Sequence, residues 1–253
     1  MDLTRYMEAG MKILSIGNSF SDDAQRYLRE IAMSEGVEIE TLNLCIGGCS
    51  LERHADNIKT GKRDYLFHYN GNVDCNDLIT FDEGLMMREW DVVTLQQVST
   101  HSFREDSFYP YIHEVASYVR AKLPGVKIYI HQTWAYEHGC PRSFEVTDGK
   151  GAEFMLDGIR QSYRRARSEI CAEGIIPSGE LMELLYRNGA GKIYRDTFHA
   201  SLGLGRYALG LLWFKLFTGK STLSNNFVAL DEPVSECDLE IARKCVESLS
   251  FEW

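Results

Sequence analysis

The chain has 253 residues, enough for one domain with a substantial core. Its 44% hydrophobic and 25% charged residues exclude a disordered chain, and 5 prolines without a repeat exclude a collagen-like or low-complexity one. Twenty-seven Lys and Arg against 37 Asp and Glu leave a formal net charge of −10, which argues against nucleic acid or an anionic membrane as partner. No apolar run approaches the ~20 residues of a membrane helix. The start, MDLTRYMEAG, lacks the apolar core of a signal peptide, so the chain as given reads as cytoplasmic. Seven scattered cysteines without a CxxC read as reduced thiols.

Met11 opens the first clear strand, and residues 1–10 read as an extra N-terminal segment. Lys12–Ile16 alternates β-formers and ends at Gly17. From Asp22, the residues Ala24, Tyr27, Leu28, Ile31 and Ala32 share one helical face up to Gly36. Val37–Cys45 is a second strand, followed by Gly47-Gly48 and a helical segment from Leu51 to Ile58. Asp91–Leu95 is a third strand. Ile112, Val115, Ala116, Val119 and Leu123 mark a helix stopped by Pro124, and Val126–Ile130 is the fourth strand. A helix over about Ala152–Ala172, a short fifth strand at Ile175-Ile176, and helices over Leu202–Phe217 and about Asp238–Leu249 complete the chain. Met86-Met87 and the Leu209–Phe217 run read as core. Alternation of strand and helix predicts a parallel sheet with helices on both faces. No linker interrupts it, so residues 1–253 form one domain. In such a sheet, ligands bind beyond the carboxyl ends of the strands.

Four strand-end or loop segments carry the chemistry. Ser19 lies between a strand end and a helix start, where free N–H groups and the helix dipole favour negative charge. It fits either a nucleophile or a helix cap. Gly47-Gly48 after the second strand permits close backbone approach to a ligand, or a plain tight turn. Gln96-Gln97 after the third strand offers two amides as donors to an oxyanion, or ties between loops. In Asp196-Thr197-Phe198-His199, a carboxylate three residues before a histidine can hold Nδ1–H and leave Nε2 to take a proton from serine. Together with Ser19 this completes an acyl-transfer constellation.

These blocks, in this order, resemble the SGNH (GDSL-type) hydrolase superfamily, in a bacterial, carbohydrate-esterase-like branch. Gly17-Asn18-Ser19-Phe20 is similar to the first block, with Asn18 in place of the usual Asp. Asn43 to Gly48 resembles the second, and Asp196 to His199 the last. The third block departs: Gln96-Gln97 stands where Gly-x-Asn is usual. The resemblance spans about Met11 to Lys220. It implies a three-layer α/β/α sandwich around a mostly parallel five-stranded, flavodoxin-like sheet. It also implies a serine esterase with Ser19 as nucleophile, His199 as base and Asp196 as its partner. The oxyanion hole would comprise Ser19, Gly48 and Gln97, with Gln96 the alternative. Asn18 is an expected substrate contact, and the expected substrate is an acylated small molecule or oligosaccharide. Trp134 and Tyr136, just after the fourth strand, fit either a site rim that stacks on a sugar face, with Trp134 the expected contact, or packing beneath the 133–151 loop. No cofactor or metal is expected, and no HxH or HExxH spacing is present.

Three rival readings stand beside this one. Cys49 or Cys45 could be the nucleophile in place of serine. The fold could serve a non-catalytic carbohydrate-binding or scaffolding protein. Finally, the Gly17–Ser21 loop could cradle a phosphate in a flavodoxin-like module.

Overall fold

A computed structural model describes residues 10–73 and 77–251; residues 1–9, most of the expected N-terminal segment, and Cys75 lie outside the described residues. The first strand, β1 (Met11–Gly17), is almost wholly buried, as are α1 (Ser19–Gln25) and α2 (Leu28–Ser34) on their inner faces. Then come β2 (Ile39–Cys45), α3 (Leu51–Thr60), β3 (Tyr65–Tyr69), β4 (Leu78–Ile79) and α4 (Phe81–Met86). The second half runs β5 (Val92–Leu95), α5 (Tyr111–Lys122), β6 (Lys127–His131), α6 (Pro141–Val146) and α7 (Gly151–Glu169). It ends with β7 (Gly174–Ile176), α8 (Ser178–Arg187), α9 (Leu204–Thr218) and α10 (Glu236–Ser248).

The strands form one sheet in the order β4-β3-β2-β1-β5-β6-β7. The five strands expected from the sequence are its parallel part, β2-β1-β5-β6-β7. Two further strands make it seven: β3 runs antiparallel to β2, and β4 antiparallel to β3. The parallel strands read as apolar runs because both of their faces are covered. From β1 the chain builds first toward β2 and then, on the other side, toward β5. That reversal opens a crevice at the carboxyl ends of β1 and β5, where an open α/β sheet binds its ligand. No helix among the described residues is long and apolar enough to cross a membrane.

Two sequence expectations change. The helix expected from Asp22 to Gly36 is broken between Gln25 and Leu28, where Gly71, at φ +72°, packs its backbone against Arg26. A Cβ at Gly71 would meet the Arg26 carbonyl at 2.7 Å. Tyr27, at the break, is tied down by its hydroxyl, which donates to the Leu202 carbonyl (2.6 Å) and accepts from Asp231 N–H (2.6 Å). Met86 and Met87 are not core: they end a short helix and are 66% and 43% exposed. The Leu209–Phe217 run behaves as expected. It lies in α9, whose apolar residues continue around the helix because α9 is enclosed by α1, α2, α8 and α10.

Candidate active site

Ser19 is the first residue of α1, immediately beyond β1. The turn is tight: a Cβ on Gly17 would lie 2.2 Å from the Ser21 hydroxyl. Asn18 is the N-cap, its Oδ1 accepting from Phe20 N–H at 3.0 Å. Asn18 therefore positions the start of the helix and also lines the pocket above it. The N–H of Ser19 is among the first-turn donors that a helix leaves without an intrahelical partner. Beyond β2, Gly48 turns the chain at φ +61°, a left-handed conformation that glycine adopts without strain.

The residues 194–201 form an irregular loop with its own internal ties. Tyr194 and Ala200 bridge, and Arg195 N–H donates to the His199 carbonyl at 3.1 Å. Asp196 Oδ1 accepts from His199 N–H at 2.8 Å, folding the carboxylate back over the turn. Thr197 sits at φ +73°, a strained conformation for a β-branched residue. Its carbonyl is held by Glu137 N–H at 2.8 Å. The loop is then stapled to α1 by Asp23, which is fully buried. Asp23 accepts from Arg195 Nη1 (2.7 Å), Arg206 Nε (2.9 Å) and Ala200 N–H (3.1 Å). Burial pushes the Asp23 carboxyl up, and the two guanidinium groups oppose that rise.

The result is a three-membered relay. The Ser19 hydroxyl lies 2.8 Å from His199 Nε2, and His199 Nδ1 lies 2.7 Å from Asp196 Oδ2. Partial burial raises the Asp196 carboxyl, but the His199 ring and backbone N–H outweigh it and hold the group below the usual carboxylate range. An ionised carboxylate only accepts, so Nδ1 is the donor to Asp196, and in the neutral imidazole Nε2 then presents a lone pair to the serine. Ser19, Gly48 and His199 line a pocket of about 520 Å³ together with Asn18, Phe20 and Phe198.

Other expected site residues are placed elsewhere. Gln97 is buried, with Oε1 accepting from Leu51 N–H (3.0 Å) and Val98 N–H (2.9 Å). Its Nε2 donates to the Ser107 carbonyl at 2.8 Å. Gln96 is likewise buried: Ser21 donates to its Oε1 at 3.2 Å, and its Nε2 lies 3.0 Å from His131 Nδ1. Both amides are consumed in tying the strand tip to its neighbours, and neither lines the pocket; the third oxyanion donor expected here is not supplied by them. Trp134 is fully buried rather than at the rim. It stacks beneath Phe20 at 4.1 Å, and its Nε1–H donates to the Phe198 carbonyl at 2.7 Å. It supports the loop instead of meeting substrate.

The two thiols weighed as nucleophiles, Cys49 and Cys45, are buried. Burial pushes the Cys49 thiol up to about 12. Burial and then the neighbouring Asp22 carboxylate raise Cys45 further. Among the described residues, one group could hold a metal ion: Asp22, Cys45 and His68, with ligand atoms within 4.8 Å of one another. Here the Asp22 carboxylate is already satisfied by Asn43 Nδ2 (2.6 Å), His68 Nδ1 (2.8 Å) and Cys45 Sγ (3.3 Å). The sequence reading gave no role to Asp23, Arg142, Arg195 or Arg206. Two arginines flanking the Asp-x-x-His block in an acidic chain were the available signal for a buried carboxylate partner.

Known proteins share this architecture. A DUF4886 family protein from Bacteroides uniformis is 30% identical and superposes with a TM-score of 0.87, over 94% of this chain and 93% of that one. A candidate SGNH hydrolase from Slackia heliotrinireducens is 20% identical with a TM-score of 0.58, over 81% and 97%. A candidate GDSL-like lipase from Parabacteroides merdae is 17% identical with a TM-score of 0.51, over 83% and 95%. The likeness to the last two establishes the fold, that of the SGNH hydrolases. No curated protein matches the chain. The family profile described as "Domain of unknown function (DUF4886)" matches residues 12–248, and the chain belongs to that family.

Proposed function

We propose that the protein is a serine esterase that removes short acyl groups, most simply acetyl, from a carbohydrate. The observation that carries the reading is the continuous Ser19–His199–Asp196 relay opening into a pocket. His199 Nε2 takes the hydroxyl proton as Ser19 Oγ attacks the ester carbonyl, and Asp196 stabilises the imidazolium that forms. In this reading the N–H groups of Ser19 and Gly48 receive the developing oxyanion; each donor of this kind typically contributes about 2.7–4 kcal/mol to lowering the barrier. The imidazolium then returns its proton to the departing alcohol oxygen. Water activated by His199 hydrolyses the acyl-enzyme and regenerates Ser19. No step calls for a metal or organic cofactor. Phe198 and Tyr136 are among the residues that line the pocket beside the relay.

The test is hydrolysis of p-nitrophenyl acetate and of acetylated monosaccharides by the wild-type protein and by Ser19→Ala. The reading expects turnover in the first and none above background in the second. Equal turnover by a folded Ser19→Ala protein contradicts it. The non-catalytic carbohydrate-binding alternative expects sugar binding without turnover in both.

A further inference from the structure

The residues lining the pocket include one permanent cation that the acyl-transfer chemistry does not use. Arg142, the second residue of α6, lines the pocket with Ser19 and His199. Its guanidinium carbon lies 4.1 Å from the Phe198 ring centroid and 5.5 Å from that of Tyr136. Phe198 in turn lies 4.0 Å, ring to ring, from His199. The cation and the proposed base thus rest against the same aromatic ring. Several arginines elsewhere pair with carboxylates: Arg26 with Asp231, Arg53 with Asp64, Arg88 with Glu40 and Arg160 with Glu180. Arg142 has no carboxylate partner among the described residues and rests on aromatic faces instead.

Stacking engages the flat face of a guanidinium and leaves its edge N–H groups, the ones that grip a carboxylate in bidentate fashion. We propose that Arg142 is a specificity residue that selects esters of acidic sugars, binding a sugar carboxylate while the acyl carbonyl lies against Ser19. The inference rests on the esterase reading and adds the chemical class of its alcohol half. The chain's net negative charge sharpens the point. Long-range forces disfavour an anionic substrate, so recognition has to be local and made inside the pocket.

The experiment compares O-acetylated glucuronic acid with O-acetylated glucose, which differ by a carboxylate in place of a hydroxymethyl group. For the wild-type protein, kcat/KM is expected to favour the acidic ester by about tenfold or more, the scale of a charge-assisted hydrogen bond. Arg142→Met should bring the ratio close to one, and Arg142→Lys should restore part of it. A wild-type ratio near one, or a ratio unchanged in Arg142→Met, overturns the proposal. Calorimetric binding of both sugars to Ser19→Ala protein measures the same preference without turnover. If the wild-type protein hydrolyses neither ester, the esterase reading fails, and the calorimetric preference alone still decides whether Arg142 selects the acid.

Discussion

The two halves of the relay are built in different ways. Ser19 is held by regular structure: it follows a buried parallel strand and opens a capped helix, so its place is fixed by the sheet. Asp196 and His199 lie on a loop with no regular element, and their place is fixed by side-chain ties, above all by Asp23. The nucleophile should therefore tolerate local changes that leave the sheet intact, whereas the base should be sensitive to residues that never touch substrate.

Breaking the chemistry itself gives the largest effect. Ser19→Ala and His199→Ala should each lower kcat/KM by about 10⁴–10⁶-fold, and the double variant should be little worse than either, because the two act as a unit. Steady-state kinetics with a chromogenic acetate ester read this out, and additive losses would contradict a shared relay.

Breaking the staple comes next. Asp23→Asn leaves Arg195 and Arg206 without their buried carboxylate, and breaking such a pair typically costs about 3–5 kcal/mol. Urea unfolding should show that loss. Turnover per folded molecule should fall as well, since the base is no longer held. Retained stability and retained activity together would remove Asp23 from the account.

The pH dependence tests the carboxylate of the relay. The Asp196 carboxyl is held below the usual carboxylate range, so it stays charged down to pH values at which an ordinary carboxylate takes up its proton. Urea unfolding of the wild-type protein and of Asp196→Asn across acid pH reads its contribution, and an identical pH dependence in the two would contradict the shift. The sign for stability follows from the same shift: the contribution of Asp196 is present above the ordinary carboxylate range and is lost as pH falls through its lowered value.

The smallest effect belongs to the nucleophile half. Asn18→Ala removes the cap of α1 and should cost about 1 kcal/mol of stability, with only a modest loss of activity if the sheet holds Ser19 as described. A collapse of activity comparable to that of Ser19→Ala would place Asn18 in the chemistry itself.

The same contrast explains what the sequence made legible. The parallel strands were readable because burial on both faces leaves apolar stretches such as Ile13-Leu14 and Val92-Val93, and Asp196 and His199 were readable because their partnership spans three residues. β3 was missed, since Tyr65–Tyr69 mixes aromatic and polar residues at intermediate burial. The Gln97 amide could not be placed from sequence because its direction is set by Leu51 and Ser107, which are distant or off the strand. Trp134 shows the same limit. An aromatic residue after a strand end can face the pocket or lie beneath it, and the stacking of Phe20 decides. Asp23 and Arg142 carry no local pattern at all. Asp23 is defined by partners more than 170 residues away, and Arg142 by the aromatic rings it rests on.

The central claim is that His199 activates the Ser19 hydroxyl across the 2.8 Å contact. Treatment with a fluorophosphonate, followed by mass mapping of the adduct, tests it most directly. The account predicts one adduct per chain, on Ser19, lost in Ser19→Ala and sharply slowed in His199→Ala. An adduct on any other residue, or labelling of Ser19 at the same rate without His199, would contradict it.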